Sequence, residues 1–385
     1  MIYVKFHTGR QAMSTHKKLL YITDQDEYVD HSFIAPLFEI YLKQYMRVDI
    51  VYFTEFKSDF ERKDAHRFTV PMRYKNILLD ELKRNDVAIE SYDYVMVRND
   101  LSIMQLVLKE QDKYSYKSAF RLSFPKRIVK MKYDIANSKS NIFDLVTDIF
   151  KRKNETNIIN SCDVFLPTSQ SMHREFFPDV HIKTIICPPG INPKMLHPNI
   201  QHQGEEKRFV YAGTLDKVRE FETVLEAFSK VKNDKWTLSI STRDPEYALE
   251  MVKQYKDLET NIEIHNAKNR DELLDLIAKA DIGVALLPDI PIYNTSTPVK
   301  IIDYYSSAIP CIMTNSGHTN TIFTDSNDAW FCQFSVNDIK EKIESILSLD
   351  KETIAQVGVK GQKRLLDIRN YEKIAENLAT QLETL

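Results

Sequence analysis

The chain has 385 residues, 43% hydrophobic and 28% charged, with a formal net charge of −3. That length exceeds one ordinary core and predicts two domains. The charge argues against a general nucleic-acid binder, and the composition is that of a water-soluble globular protein. No apolar run reaches the roughly 20 residues needed to span a bilayer. Met1-Ile2-Tyr3-Val4-Lys5 opens without the apolar core of a signal peptide, so a cytoplasmic setting is expected. Cys162, Cys187, Cys311 and Cys332 are scattered and read as free buried thiols. The histidines show no H-x-x-x-H pair, so no metal site is expected.

The first half carries strand patterns at 18–23, 48–53, 94–98, 119–122 and 164–167, and a helical pattern at 33–46. Residues 1–17 precede the first clear strand, and their role is open. Residues 197–206 are polar, contain Pro198 and Gly204, and read as the interdomain linker. Beyond them strands and helices alternate. Strands are expected at 208–212, 236–240, 262–265, 282–287 and 309–313, and helices at 222–231, 244–256, 271–279 and from Pro298 onward. This order predicts an α/β protein of two Rossmann-like, doubly wound domains. The expected domains span residues 1–200 and 206–367, and a C-terminal helix at 368–385 packs back on the first. Ligands of such sheets sit at the carboxyl ends of the strands, so the cleft between the domains is the expected site.

Three loops carry the chemistry. In the segment Gly213-Thr214-Leu215-Asp216-Lys217-Val218-Arg219 a strand ends in glycine and cations follow, the arrangement of a phosphate cradle. Thr297 is placed to cap a helix and Pro298 to open it. Lys300 then falls in the first turn, where the helix dipole opposes a cation unless an anion lies over the helix end. Asp303 shares a face with Lys300 and suits ribose hydroxyls. After a further strand, Asn266 and Lys268 stand where a base edge can be held. In the first domain Arg98, Asn99, Asp100 and Arg121 follow strand ends. Residues 117–153 hold ten Lys or Arg against three acids, with Arg121, Lys126, Arg127 and Lys130 interleaved with apolar residues. Such a face suits an acceptor near an anionic membrane surface.

The order of these segments resembles the GT-B glycosyltransferases, most closely glycosyltransferase family four. Ile186 to Pro198 is similar to that family's crossing segment, Gly213 to Arg219 to its phosphate loop, and Glu272 to Ile282 to a conserved helix and strand. Pro298 to Pro310 resembles the second half of its paired-acid motif, and Asn370 to Ala375 its returning C-terminal helix. The family's first acid is replaced here by Thr295 and its second is Asp303, while Thr214 stands for its arginine and Arg219 for its lysine. The resemblance implies transfer from a UDP- or GDP-linked sugar, with retention of configuration, to a glycan or lipid-linked acceptor in cell-surface polysaccharide or glycoconjugate synthesis. It implies no cofactor and no metal, and a peripheral position on the inner membrane face. Lys300, Arg219, Arg98 and Asp100 are assigned to catalysis. Gly213, Thr214, Lys217, Arg219, Asn266, Lys268, Thr297, Pro298, Lys300 and Asp303 are assigned to the donor. A GT-B sugar-nucleotide epimerase and a non-catalytic sugar-nucleotide-binding subunit are the alternative readings.

Overall fold

A computed structural model describes residues 17–26, 35–125, 127, 128, 131, 142–200, 204–233 and 235–385. The first lobe holds β1 (Lys18–Asp26), β2 (Arg47–Thr54), β3 (Glu61–Arg62), β4 (Arg67–Pro71), β5 (Tyr94–Arg98), β6 (Lys117–Leu122), β7 (Val164–Pro167) and β8 (Lys183–Thr184). Its helices are α1 (Leu78–Arg84), α2 (Leu101–Tyr114), α3 (Ile142–Asn160) and α4 (Gln170–Phe176). The strands run β3-β4-β2-β1-β5-β6-β7-β8, and every named pairing except β3 with β4 is parallel.

The second lobe holds β9 (Lys207–Ala212), β10 (Trp236–Ser241), β11 (Ile262–His265), β12 (Ile282–Ala285), β13 (Cys311–Thr314) and β14 (Trp330–Cys332). Its helices are α5 (Phe221–Ser229), α6 (Pro245–Val252), α7 (Arg270–Ala278), α8 (Pro291–Asn294), α9 (Val299–Ser306), α10 (Val336–Leu347) and α11 (Lys351–Ile368). All five of its strand pairings are parallel, in the order β11-β10-β9-β12-β13-β14. Parallel strands buried on both faces read as continuous apolar runs, as β12 and β13 do. Each sheet is covered on both sides. Phe209, Phe228, Trp236 and Ile343 lie in the cluster on one face of the second sheet, and Val210, Ile277, Ile301 and Tyr305 in the cluster on the other.

The chain passes between the lobes twice, side by side. The Ile191 N–H donates to the Arg369 carbonyl at 2.8 Å and the Tyr371 N–H to the Ile191 carbonyl at 3.1 Å. A Cβ on Gly190 would lie 2.5 Å from the Arg369 oxygen, so only glycine lets the two passes lie this close. The last helix, α12 (Tyr371–Glu383), then packs into the first lobe, with Leu378 and Leu382 in one cluster with Tyr21, Phe38 and Leu166.

Two expectations need correction. The polar segment read as a linker is fastened to the second lobe at its start. The His197 N–H bonds the Ser306 carbonyl, and the Ile200 N–H bonds the Ala278 carbonyl. The crossing itself is made earlier, at Gly190–Ile191. The helix expected at 33–46 is a π-helical stretch, Ala35–Tyr41, followed by a 3-10 turn, Leu42–Gln44. Residues 1–16, whose role was left open, lie outside the described residues, as do Lys126, Lys130 and residues 27–34.

Candidate functional site

In the second sheet the strand order reverses between β9 and β12, because the chain builds outward from β9 to β11 and then returns to β12. Ligands of doubly wound sheets sit above such a reversal. The two strands pair only at Ile282 with Phe209 and Gly283 with Val210. Beyond that point the Tyr304 hydroxyl enters between them, accepting from the Ala212 N–H at 2.9 Å and donating to the Val284 carbonyl at 3.2 Å. Gly283 leaves room for that ring, since a Cβ there would lie 2.3 Å from it. The strands therefore part at their carboxyl ends and the backbone groups at the parting stay satisfied.

Lys300 reaches over this parting. Its Nζ lies 3.6 Å from the centroid of the Tyr211 ring and 3.1 Å from the position a Cβ on Gly213 would take. Gly213 has φ +149°, a conformation that excludes other residues without strain. The Lys300 Nζ is buried and has no hydrogen-bond partner among the described residues. Burial, with the Arg219 guanidinium nearby, pushes its pKa well below the ordinary lysine value. The Tyr211 ring offsets only part of this, about 0.5–2 kcal/mol for a cation over an aromatic face. A buried ammonium beside a bare glycine loop is an arrangement that favours an anion.

The neighbouring residues are engaged in ways the sequence did not indicate. Arg219 pairs with Asp216, and Asp216 also accepts from the Val218 and Arg219 N–H groups at 3.1 Å. Thr214 and Lys217 are exposed on the same loop. Thr297 does not cap α9. Pro298 occupies the N-cap position, and Thr297 Oγ1 lies 3.0 Å from His318 Nε2. Asp303 does not pair with Lys300; it is buried against the Arg270 guanidinium at 3.1 Å. Arg270 opens α7 directly after the β11 loop. The Asn269 side chain caps that helix by accepting from the Glu272 N–H at 2.9 Å, and the Glu272 carboxylate accepts from the Lys268 N–H at 2.8 Å. Lys268 is exposed and Asn266 half-buried on this loop.

In the first lobe, Arg98 is buried and paired with Asp24, and Asn99 donates to the same carboxylate at 3.1 Å. Asp100, assigned to catalysis from sequence, caps α2 through the Ser102 and Ile103 N–H groups and pairs with Lys75 at 2.5 Å. Arg121 does not face an acceptor. It is fully buried, donating to the Tyr21 hydroxyl at 2.8 Å with its guanidinium carbon 4.9 Å from the Phe38 ring centroid. Arg127 does not present its charge outward either, because its guanidinium meets Asp148 and Glu155 of α3.

The lobes meet just ahead of α9. The Ser169 hydroxyl donates to the Thr295 carbonyl, and Tyr41 donates to Asn192 at 2.7 Å. His318 was not singled out from sequence; the only signal is its place in the loop that follows β13. Burial, with the Arg369 cation nearby, lowers its pKa from 6.5 to about 4. The unfolded chain therefore takes up the proton first. The stability that the neutral ring contributes is present above about pH 6.5 and lost as pH falls through about 4. The shift sets a ceiling on the order of 3 kcal/mol. His318→Gln should show a smaller stability loss than wild type between pH 7.5 and pH 4.5 in urea unfolding; parallel losses would refute the assignment.

Residues 206–349 match the family model described as glycosyl transferases group 1. Sucrose-phosphate synthase from Thermosynechococcus elongatus superposes with a TM-score of 0.68 at 15% identity, covering 96% of this chain and 99% of that one. Anabaena HepE, solved with UDP and glucose, gives 0.68 at 11% identity over 96% and 100%. An α,α-trehalose-phosphate synthase (UDP-forming) from Burkholderia xenovorans gives 0.67 at 10% identity over 94% and 99%. No curated protein matches the sequence. Two doubly wound lobes, a paired crossing and a returning C-terminal helix define a protein of the GT-B fold. Over residues 206–349 its second lobe is similar to the glycosyl transferases group 1.

Proposed function

We propose that the protein is a glycosyltransferase that moves a sugar, with retention of configuration, from a nucleoside diphosphate sugar to a glycan or lipid-linked acceptor. The observation that carries the reading is the buried Lys300 Nζ over Gly213, without a hydrogen-bond partner among the described residues, at the strand-order reversal of a lobe that matches the group 1 family. A diphosphate laid there meets the Lys300 ammonium and the Gly213 loop, with Arg219 alongside. As the sugar–oxygen bond breaks, negative charge grows on the leaving diphosphate, where preorganised cations stabilise it without reorganising. The Asp303–Arg270 pair ties α9 to α7 and so fixes the helix that carries Lys300. The solved relative bound to UDP and glucose supports a uridine nucleotide as the first donor to test.

The reading is tested with a panel of UDP- and GDP-linked sugars, by thermal shift and by release of nucleoside diphosphate with and without acceptor glycans. One or more donors should raise the melting temperature and be turned over, with slow hydrolysis when acceptor is absent. Isomerisation of the donor without release of nucleoside diphosphate would favour the epimerase, and binding without turnover the scaffolding subunit.

A further inference from the structure

A cavity of about 460 Å³ lies where α4, the crossing segment and α12 of the first lobe meet the His318 loop of the second. It is separate from the Lys300 crevice: Lys300, Tyr211 and Gly213 do not line it. Arg174 reaches it from α4, Arg369 and Lys373 from the second crossing, and His318 from the other lobe, and no Asp or Glu is among its lining residues. The Arg369 Nη1 is buried without a hydrogen-bond partner among the described residues, and burial lowers the pKa of that guanidinium to about 10. Arg174 is exposed and makes no ion pair among the described residues. Lys373 donates one N–H to the Asp367 carbonyl at 2.9 Å and has two more to offer. Cations gathered without a counter-charge repel one another, and an oxyanion relieves that repulsion. Gln170 of α4 and Asn377 of α12 also line it and offer amide groups to hydroxyls.

We propose that this hinge cavity binds a small phosphate-bearing polyol, of sugar-phosphate size, whose phosphate is held by Arg174, Arg369 and Lys373. The cavity has room for more than inorganic phosphate. A ligand there touches both lobes and sits against His318, which meets Thr297 at the entrance of α9. Its occupancy therefore favours the arrangement in which the lobes are apposed as described.

Glucose 6-phosphate, inorganic phosphate and glucose serve as probes by calorimetry and thermal shift, on wild type, Lys300→Met and an Arg174→Gln/Lys373→Gln double variant. Lys300→Met removes the cation of the donor crevice. Arg174 and Lys373 are exposed, so the double variant should melt within about a degree of wild type without ligand. Glucose 6-phosphate is expected to bind wild type and Lys300→Met alike, and the double variant at least tenfold more weakly. Inorganic phosphate should bind more weakly than the sugar phosphate, and glucose not at all. Equal binding to wild type and the double variant would overturn the proposal, as would no binding to wild type. Loss of binding in Lys300→Met with retention in the double variant would place the ligand in the donor crevice and overturn it too. Should the double variant melt early, Arg174→Gln alone carries the comparison, with at least a threefold loss expected.

Discussion

Lys300→Met should yield a protein that melts higher than wild type and turns over its donor about 10²–10³-fold more slowly. The two effects have one cause. The Lys300 Nζ is buried with no hydrogen-bond partner among the described residues and its pKa is depressed, so the fold disfavours its charged form. The unfolded lysine titrates near 10.4, and wild-type stability should therefore rise as pH increases toward that value. Methionine keeps the apolar stem against Tyr211 and removes the charge, a gain on the order of 1–3 kcal/mol after the lost cation–π contact is discounted. If the proposed donor diphosphate lies against Lys300, it should raise the melting temperature of wild type more than that of the variant. Scanning calorimetry with and without donor, beside kcat/KM for release of nucleoside diphosphate, checks both halves. Unchanged turnover with an undiminished donor-induced shift would show that Lys300 does not meet the diphosphate.

Gly358→Val should be the most destabilising of the substitutions considered. Helix α11 lies flat on the turn that joins α9 to β13. A Cβ at Gly358 would stand 1.9 Å from the Ala308 carbonyl oxygen, and one at Gly361 would stand 2.1 Å from the Tyr305 ring. Gln362 fixes the same approach by donating to the Tyr305 and Ser306 carbonyls at 2.9 and 3.2 Å. A side chain that meets backbone cannot be relieved by a rotamer change, so the helix must lift. Overpacking costs typically 1–3 kcal/mol and occasionally more. Val359, one residue along and 56% exposed, gives the control. Val359→Ala should stay within about 0.5 kcal/mol of wild type in denaturant unfolding. Similar midpoints for the two variants would mean that α11 does not pack as closely as described.

The alternation of strands and helices after residue 206 was legible because parallel strands are apolar throughout and their helices keep a 3.6-residue period. The strands at Lys207–Ala212, Trp236–Ser241 and Ile262–His265 fall within a residue or so of the reading. Chain-local rules also brought Gly213 and Lys300 forward, since a strand-ending glycine and a cation in a helix's first turn are both visible along the sequence. They failed at Thr297, where the preference for a cap was outweighed by His318, 21 residues downstream. Asp303 was read with its helical neighbour Lys300, whereas Arg270, on a different helix, takes its carboxylate. Tyr304 escaped notice because its hydroxyl serves strands whose bonded groups lie 92 and 20 residues away. The short strands β3, β8 and β14 hold two or three residues each, too few to establish an alternation.

The paired crossing at Ile191 and Asn370 makes the joint between the lobes a ribbon, not a thread. Two hydrogen-bonded passes resist torsion far more than bending, much as the spine of a book does. The joint thereby fixes which face of the second lobe, the one carrying Lys300, is turned toward the first.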